Sequence, residues 1–198
     1  MKKLIYINKT AILIYIIYLV LISSCNTSKT NTNAKLNLDT ANLLVKLKTD
    51  SFNIDIHTVI PFTTAATQRV LNKVFINVGN SNGRINVEGD GNYISIKNNH
   101  IKADLPFFGE QRQFTGNYGQ AISGIKFNSM PKDYTISPHK KKEAIIITFV
   151  IEDSKTNTEN YNIDLIVFPN KHVDVFIRSS HRTLINYLGT LDFVEEEA

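Results

Sequence analysis

The sequence predicts a mainly β domain, α+β at most: an antiparallel β-sandwich or partly closed barrel with a short N-terminal helix. Three observations carry this expectation. Apolar and polar residues alternate in run after run between residues 52 and 191, the period-2 pattern of half-buried strands. Turn-forming clusters such as Gly89-Asp-Gly-Asn92, Asn98-Asn99 and Pro169-Asn170 divide the runs, at the roughly 8–12-residue spacing of an antiparallel meander. Strands do not alternate with helices, which argues against a doubly wound parallel sheet.

In chain order, residues 36–48 allow one short helix, with Asp39 as its cap and Leu43, Leu44 and Leu47 on one face. Phe52, Ile54 and Ile56 then alternate with Asn53, Asp55 and His57, and Pro61 ends that strand. Residues 63–71 could hold a turn of helix. Ile85 and Val87 lead into Gly89-Asp-Gly-Asn92, residues that accept positive φ, so a hairpin returning along residues 93–97 is expected. Asn98-Asn99 makes the next turn, and residues 101–105 form a strand. A long loop rich in glycine and aromatics covers residues 106–123. Short strands follow at residues 124–128 and 134–136. Beyond them, Ile145, Ile147, Phe149 and Ile151 share one face, as do Ile163, Leu165 and Val167, and then Val173, Val175 and Ile177. Residues 153–160 and 179–182 are polar turns between strands, and the last strand spans residues 184–191.

The first 24 residues have the layout of a secretory signal. Lys2, Lys3 and Lys9 form its positive end, and an apolar run of 12 residues, Ala11 to Ile22, follows. Such a run falls short of the roughly 20 residues that span a bilayer. Leu21-Ile-Ser-Ser-Cys25 resembles a bacterial lipobox: small residues stand next to the cut, and a thiol follows to take a diacylglyceryl group. Cys25 is therefore the expected lipidation site and first mature residue. Stable anchoring is expected, because two acyl chains hold firmly where one binds marginally. Residues 25–35 are a polar tether, residues 36–192 a single β-rich domain, and residues 193–198 an acidic tail. Asn26 stands where an Asp would favour inner-membrane retention in many diderm bacteria, and no acidic residue precedes Asp39. Both features lean toward an outer-membrane protein facing the periplasm.

The formal charge of +4 falls to +1 once the three leader lysines are removed. The basic hint of a nucleic-acid partner disappears with them. Cys25 is the sole cysteine, so no intrachain disulfide forms, and an acylated Cys25 leaves no free thiol.

Two segments resemble a known family. Ala103-Asp-Leu-Pro-Phe-Phe-Gly109, followed by Gly124-Ile-Lys-Phe127, is similar to the central signature of the domain-of-unknown-function 4251 family. Phe168-Pro-Asn-Lys-His-Val-Asp-Val-Phe-Ile-Arg-Ser-Ser-His-Arg-Thr-Leu-Ile-Asn-Tyr-Leu-Gly189 resembles its closing hairpin, which ends in Tyr-x-Gly. Glu110 departs from the arginine common after the signature glycine. The resemblance spans about residues 36–191. It implies an exported lipoprotein and brings no catalytic residues or ligand with it.

Chemistry-bearing groups give little else. Pro106 favours an extended Leu105, Phe107 and Phe108 can bury large areas, and Gly109 permits a bend. That describes a strand leaving the sheet over an apolar core. Phe107, Phe108, Phe114 and Tyr118 are the candidate pocket residues should the loop bind something. His57, His100, His139, His172 and His181 lack metal-site spacing. Glu88 with Asp90, and Asp104 with Glu110, are the carboxylate pairs nearest in sequence, and exposed turn carboxylates are far commoner than catalytic ones. Ser180-His181 adjacency does not make a relay. Lys140-Lys-Lys142 is the densest charge run, able to touch anionic lipid. No catalytic residue, metal or cofactor is expected. The leading expectation is a membrane-anchored, non-enzymatic binding or structural module, with an envelope protein or small apolar ligand as partner. A hydrolase of an envelope or dietary polymer requires a cleft with converging carboxylates. An apolar-ligand carrier requires an open apolar cavity of about 300 Å³ or more.

Overall fold

The computed structural model describes residues 37–62, 83–112, 124–154 and 159–194. Cys25, the leader, the tether, residues 63–71, Phe114, Tyr118 and the Glu195–Glu197 tail lie outside them. The described residues hold one helix, α1 (Leu38–Thr49), and ten antiparallel strands in a single curled half-barrel sheet. Of the two architectures open from the sequence, the partly closed barrel is the one found. No helix among the described residues is long and apolar enough to cross a membrane.

The strands are β1 (Phe52–Pro61), β2 (Ile85–Asn86), β3 (Tyr93–Lys97), β4 (His100–Leu105), β5 (Ile125–Ser129), β6 (Lys132–Pro138), β7 (Ile145–Glu152), β8 (Asn160–Val167), β9 (His172–Ser179) and β10 (Ile185–Phe193). Their order is β5-β4-β3-β1-β10-β9-β8-β7-β6, with β2 also on β1. Two meanders thus meet where the first strand pairs with the last. β5 and β6 stand at opposite ends of this path, yet only Met130 and Pro131 join them. The sheet must therefore curl until its two ends approach. Accordingly, the Ser154 amide after β7 donates to the Lys126 carbonyl of β5 at 2.8 Å, and the rings of Phe127 and Tyr161 lie 6.1 Å apart.

Strand periodicity explains what fills the curl. Successive side chains point to opposite faces, and cross-strand register lines the buried ones into rows. Ile147, Leu165, Val175 and Tyr187 follow one another from β7 to β10. Leu191, Ile54, Ile94, Ala103 and Phe127 follow from β10 to β5. All are buried, and Phe52, Phe127, Tyr161 and Tyr187 are among the largest fully buried side chains. The interior is thus packed with the sheet's own residues.

Two expectations change in detail. The cap of α1 is Asn37, whose side chain accepts from the Asp39 amide, while Asp39 sits in the first turn near the positive end of the helix. Leu43 and Leu47 are buried as expected, with Leu44 partly so. The expected hairpin at residues 89–92 is instead an outward loop. β2 pairs with β1 at Thr58↔Asn86, and β3 pairs with the same strand at Asp55↔Tyr93. β1 carries its own irregularity between Ile56 and Thr58, where it bonds Asn92 and Val87. The glycines adopt the positive φ that a turn needs, but the residues flanking them continue along one partner. By contrast Asn98 and Asn99, at φ of 50° and 61°, do turn β3 into β4, as a two-residue hairpin requires.

Candidate functional site

One end of the barrel gathers the unusual chemistry. There the loop after β4 (residues 106–112), the loop between β7 and β8, and the turn between β9 and β10 meet. Thr183 and Glu110 bond one another twice: the Glu110 amide donates to Thr183 Oγ1, and the Thr183 amide to the Glu110 carbonyl, each at 2.9 Å. The Arg112 amide donates to the His181 carbonyl at 2.7 Å, and the Tyr187 hydroxyl to the Pro106 carbonyl at 2.8 Å. The two sequence segments that carried the family resemblance thus close on each other in space, through pairs 73 and 81 positions apart.

Arg182 lies at the centre. Its guanidinium grips the Glu159 carboxylate through Nε and a terminal nitrogen at 2.9 Å, and both side chains are almost wholly buried. Ser179 Oγ donates to the other side of the pair at Glu159 Oε1, and accepts the amides of His181 and Arg182. The guanidinium also lies over the Phe107 ring, 5.0 Å from its centroid, a geometry that favours a cation. Beside this cluster the buried Tyr161 hydroxyl donates to Asp153 Oδ2 at 2.7 Å. Burial, then the bond to Asp153, pushes the Tyr161 phenol far above its usual range. Burial does the same to Tyr187.

Each of these groups spends its polar capacity inside the protein. A desolvated charge is tolerated only when it is paired and hydrogen-bonded, and the bidentate contact to Glu159 meets that condition for Arg182. The arrangement fixes three loops relative to one another. It does not present a reactive atom to solvent.

The residues singled out from sequence fall as follows. Phe107 and Phe108 pack partly buried against the core, with Phe107 serving as the platform under Arg182. Gly109 is needed where it stands, because a Cβ there would lie 2.5 Å from both Phe107 Cζ and Thr183 Oγ1. Asp104 pairs with Lys126 at 2.5 Å on the sheet surface, and Glu88 and Asp90 are exposed. The histidines are scattered: His57 bonds Thr58, His100 bonds Asn128, His172 bonds Asp174, and His181 bonds Ser180. Among the described residues, no three His, Cys, Asp or Glu side chains are grouped to hold a metal. Sequence reasoning missed the buried cluster. Asp153 and Glu159 looked like members of a solvated turn, and nothing local marks a carboxylate whose partner is 23 residues away.

Among the described residues, the concavities outside the packed interior include two beside α1. One of about 250 Å³ opens beside the C-terminal end of α1, with Leu47, Ile96, Tyr134 and Ile136 behind a rim that includes Asp50, Asn98 and Asn99. Burial pushes the Tyr134 phenol there up to about 12. A broader groove of about 670 Å³ runs between α1 and the β8–β9 turn. It meets the volume expected of an apolar-ligand carrier, but its lining is mixed: Leu43, Pro169 and Phe193 stand among Asp39, Asn42, Lys46, Asn170, Lys171 and Asp192.

Fold and site together define a β domain of one curled, filled sheet, with a sealed ionic cluster locking its loops at one end. The chain belongs to the family Domain of unknown function (DUF4251), whose sequence model matches residues 34–191. Comparisons with curated proteins and with solved structures found no match.

Proposed function

We propose that the chain is an envelope lipoprotein, anchored through acyl chains on Cys25, whose β domain acts as a non-enzymatic binding or structural module. The observation that carries the second half is the sealed cluster. Arg182, Glu159, Asp153, Tyr161 and Tyr187 bring several chemistry-bearing side chains together, and each is buried and bonded inward. Acid–base chemistry needs a group within hydrogen-bond reach of a substrate, and these groups face other parts of the same fold. The first half rests on the lysine-flanked apolar leader and on Ser23-Ser24-Cys25. Asn26 favours the outer membrane with the domain in the periplasm.

The module reading is tested by recovering the native protein from solubilised envelopes and identifying what copurifies. Reproducible recovery of one envelope protein, lost on a surface substitution that leaves folding intact, is the expected result. Turnover of an envelope or dietary polymer by the purified domain would overturn it.

A further inference from the structure

We propose that the end of the barrel carrying α1 docks onto an anionic lipid surface. The inference rests on the lipid-anchor reading and adds which face of the domain the anchor draws down. The chain enters the domain at Asn37, 12 residues beyond Cys25. Such a stretch reaches at most about 40 Å, and a domain of this length is on the order of 40 Å across. The tether alone therefore does not choose the face, and surface chemistry must.

That chemistry is concentrated around α1. Leu43 and Leu47 bury one side of the helix, while Leu38 and Val45 leave 72% and 61% of their surface exposed. Seven residues apart, these two lie on one helical face, next to Lys46 and Lys48. The loop between β6 and β7 presents Lys140, Lys141 and Lys142, all exposed. This loop has a defined shape, because His139 Nδ1 accepts the amides of Lys141 and Lys142 at 3.1 Å. Lys142 lies 5.4 Å from the Phe168 ring centroid and 3.8 Å from Asp174, which ties the loop to the β8–β9 turn. That turn faces α1 across the broad groove. Lysine loop, turn and helix thus share one end, opposite the Arg182 cluster along β9 and β10.

Acids at this end are partly spent. Asp174 holds His172 and Lys142, and Asp192 holds Lys171. Lys140 and Lys141 enter no ion pair among the described residues. Asp39, Asp50 and Glu143 share the end, and Glu195, Glu196 and Glu197 follow directly on Val194, whose amide bonds Ser51 there, so the attraction is local to the lysine loop and sensitive to salt. It suits orienting a domain already tethered, since a basic patch supplements acyl chains as a second membrane signal.

The test uses the mature chain from Cys25 to Ala198. Its single thiol is coupled to a maleimide lipid in vesicles of phosphatidylcholine, with or without phosphatidylglycerol, and amide hydrogen exchange is followed by mass spectrometry. On the anionic vesicles, residues 38–49 and 139–144 should exchange several-fold more slowly than on neutral ones, each lysine contributing about fivefold to surface association. Residues 89–92 and 106–112 should exchange alike on both. The triple variant K140Q/K141Q/K142Q, or high salt, should erase the difference. Equal exchange on both vesicles, or slowing confined to residues 89–92, would overturn the proposal. Because the lipid is attached chemically, this outcome is independent of acylation in the cell, which the mass of the N-terminal peptide from native membranes reports.

Discussion

Arg182 and Glu159 form a pair in which either partner alone is a liability. Removing one leaves the other charge buried without compensation, an effect of about 3–5 kcal/mol, whereas replacing both with apolar groups of similar volume is often near neutral. Arg182→Met and Glu159→Leu should each lower stability by that order in urea unfolding. The double variant should recover most of the loss, and additive losses would mean that the two side chains act separately. A second residue-scale expectation concerns alkali. Tyr134 ionises near 12 when folded, against 10.0 ordinarily, so between those values the unfolded chain releases a proton that the native state keeps. The stabilising difference is intact below pH 10 and declines as pH rises toward 12. Tyr161 and Tyr187 are shifted in the same direction. Tyrosinate absorbance should therefore rise in a late step, coincident with unfolding. At this scale the sequence was a poor guide. Phe107 and Gly109 could be flagged because their types are constrained locally. Glu159 could not, since its importance comes from Arg182, Ser179 and the fold that brings them together.

At the scale of elements, most strands were legible because their apolar residues alternate. The inward rows of β7, β8 and β9 coincide with the alternation of Ile145, Ile163 and Val173 and the residues that follow each. What alternation does not encode is which strand pairs with which. Gly89-Asp-Gly-Asn92 has every residue of a hairpin turn, but β2 and β3 both find a better partner in β1. The decisive pairing, β1 with β10, joins residues more than a hundred positions apart, and one contact there explains the glycine of Tyr187-Leu-Gly189 in physical terms. At Gly189 an added Cβ would stand 2.6 Å from the Asp55 carbonyl oxygen and 2.8 Å from Ile54 Cγ2. The backbone cannot yield as a side chain tip would. Gly189→Ala should therefore cost about 1–3 kcal/mol by overpacking, read from urea unfolding. Amide exchange should quicken first along β1 and β10. An unchanged midpoint would show that the two strands separate at little energetic expense.

For the molecule as a whole, the two-residue link between β5 and β6 forces the curl, and the curl divides the domain into two unlike ends. One end is locked by ionic and backbone contacts among loops. The other carries the helix through which the chain enters, an exposed lysine loop and a groove of mixed polarity. Under the proposed lipid anchor, two unlike ends would let the domain hold one face toward a membrane and offer the other to a partner. The central proposal is that the chain ends in lipid at Cys25, a residue outside the described ones that is singled out only by the sequence pattern before it. The direct measurement is growth with a labelled fatty acid, followed by isolation of the wild-type protein beside Cys25→Ser. The account predicts label in the wild type, none in the variant, and accumulation of the variant as an unprocessed precursor. A wild-type protein that is exported yet takes up no label would contradict it.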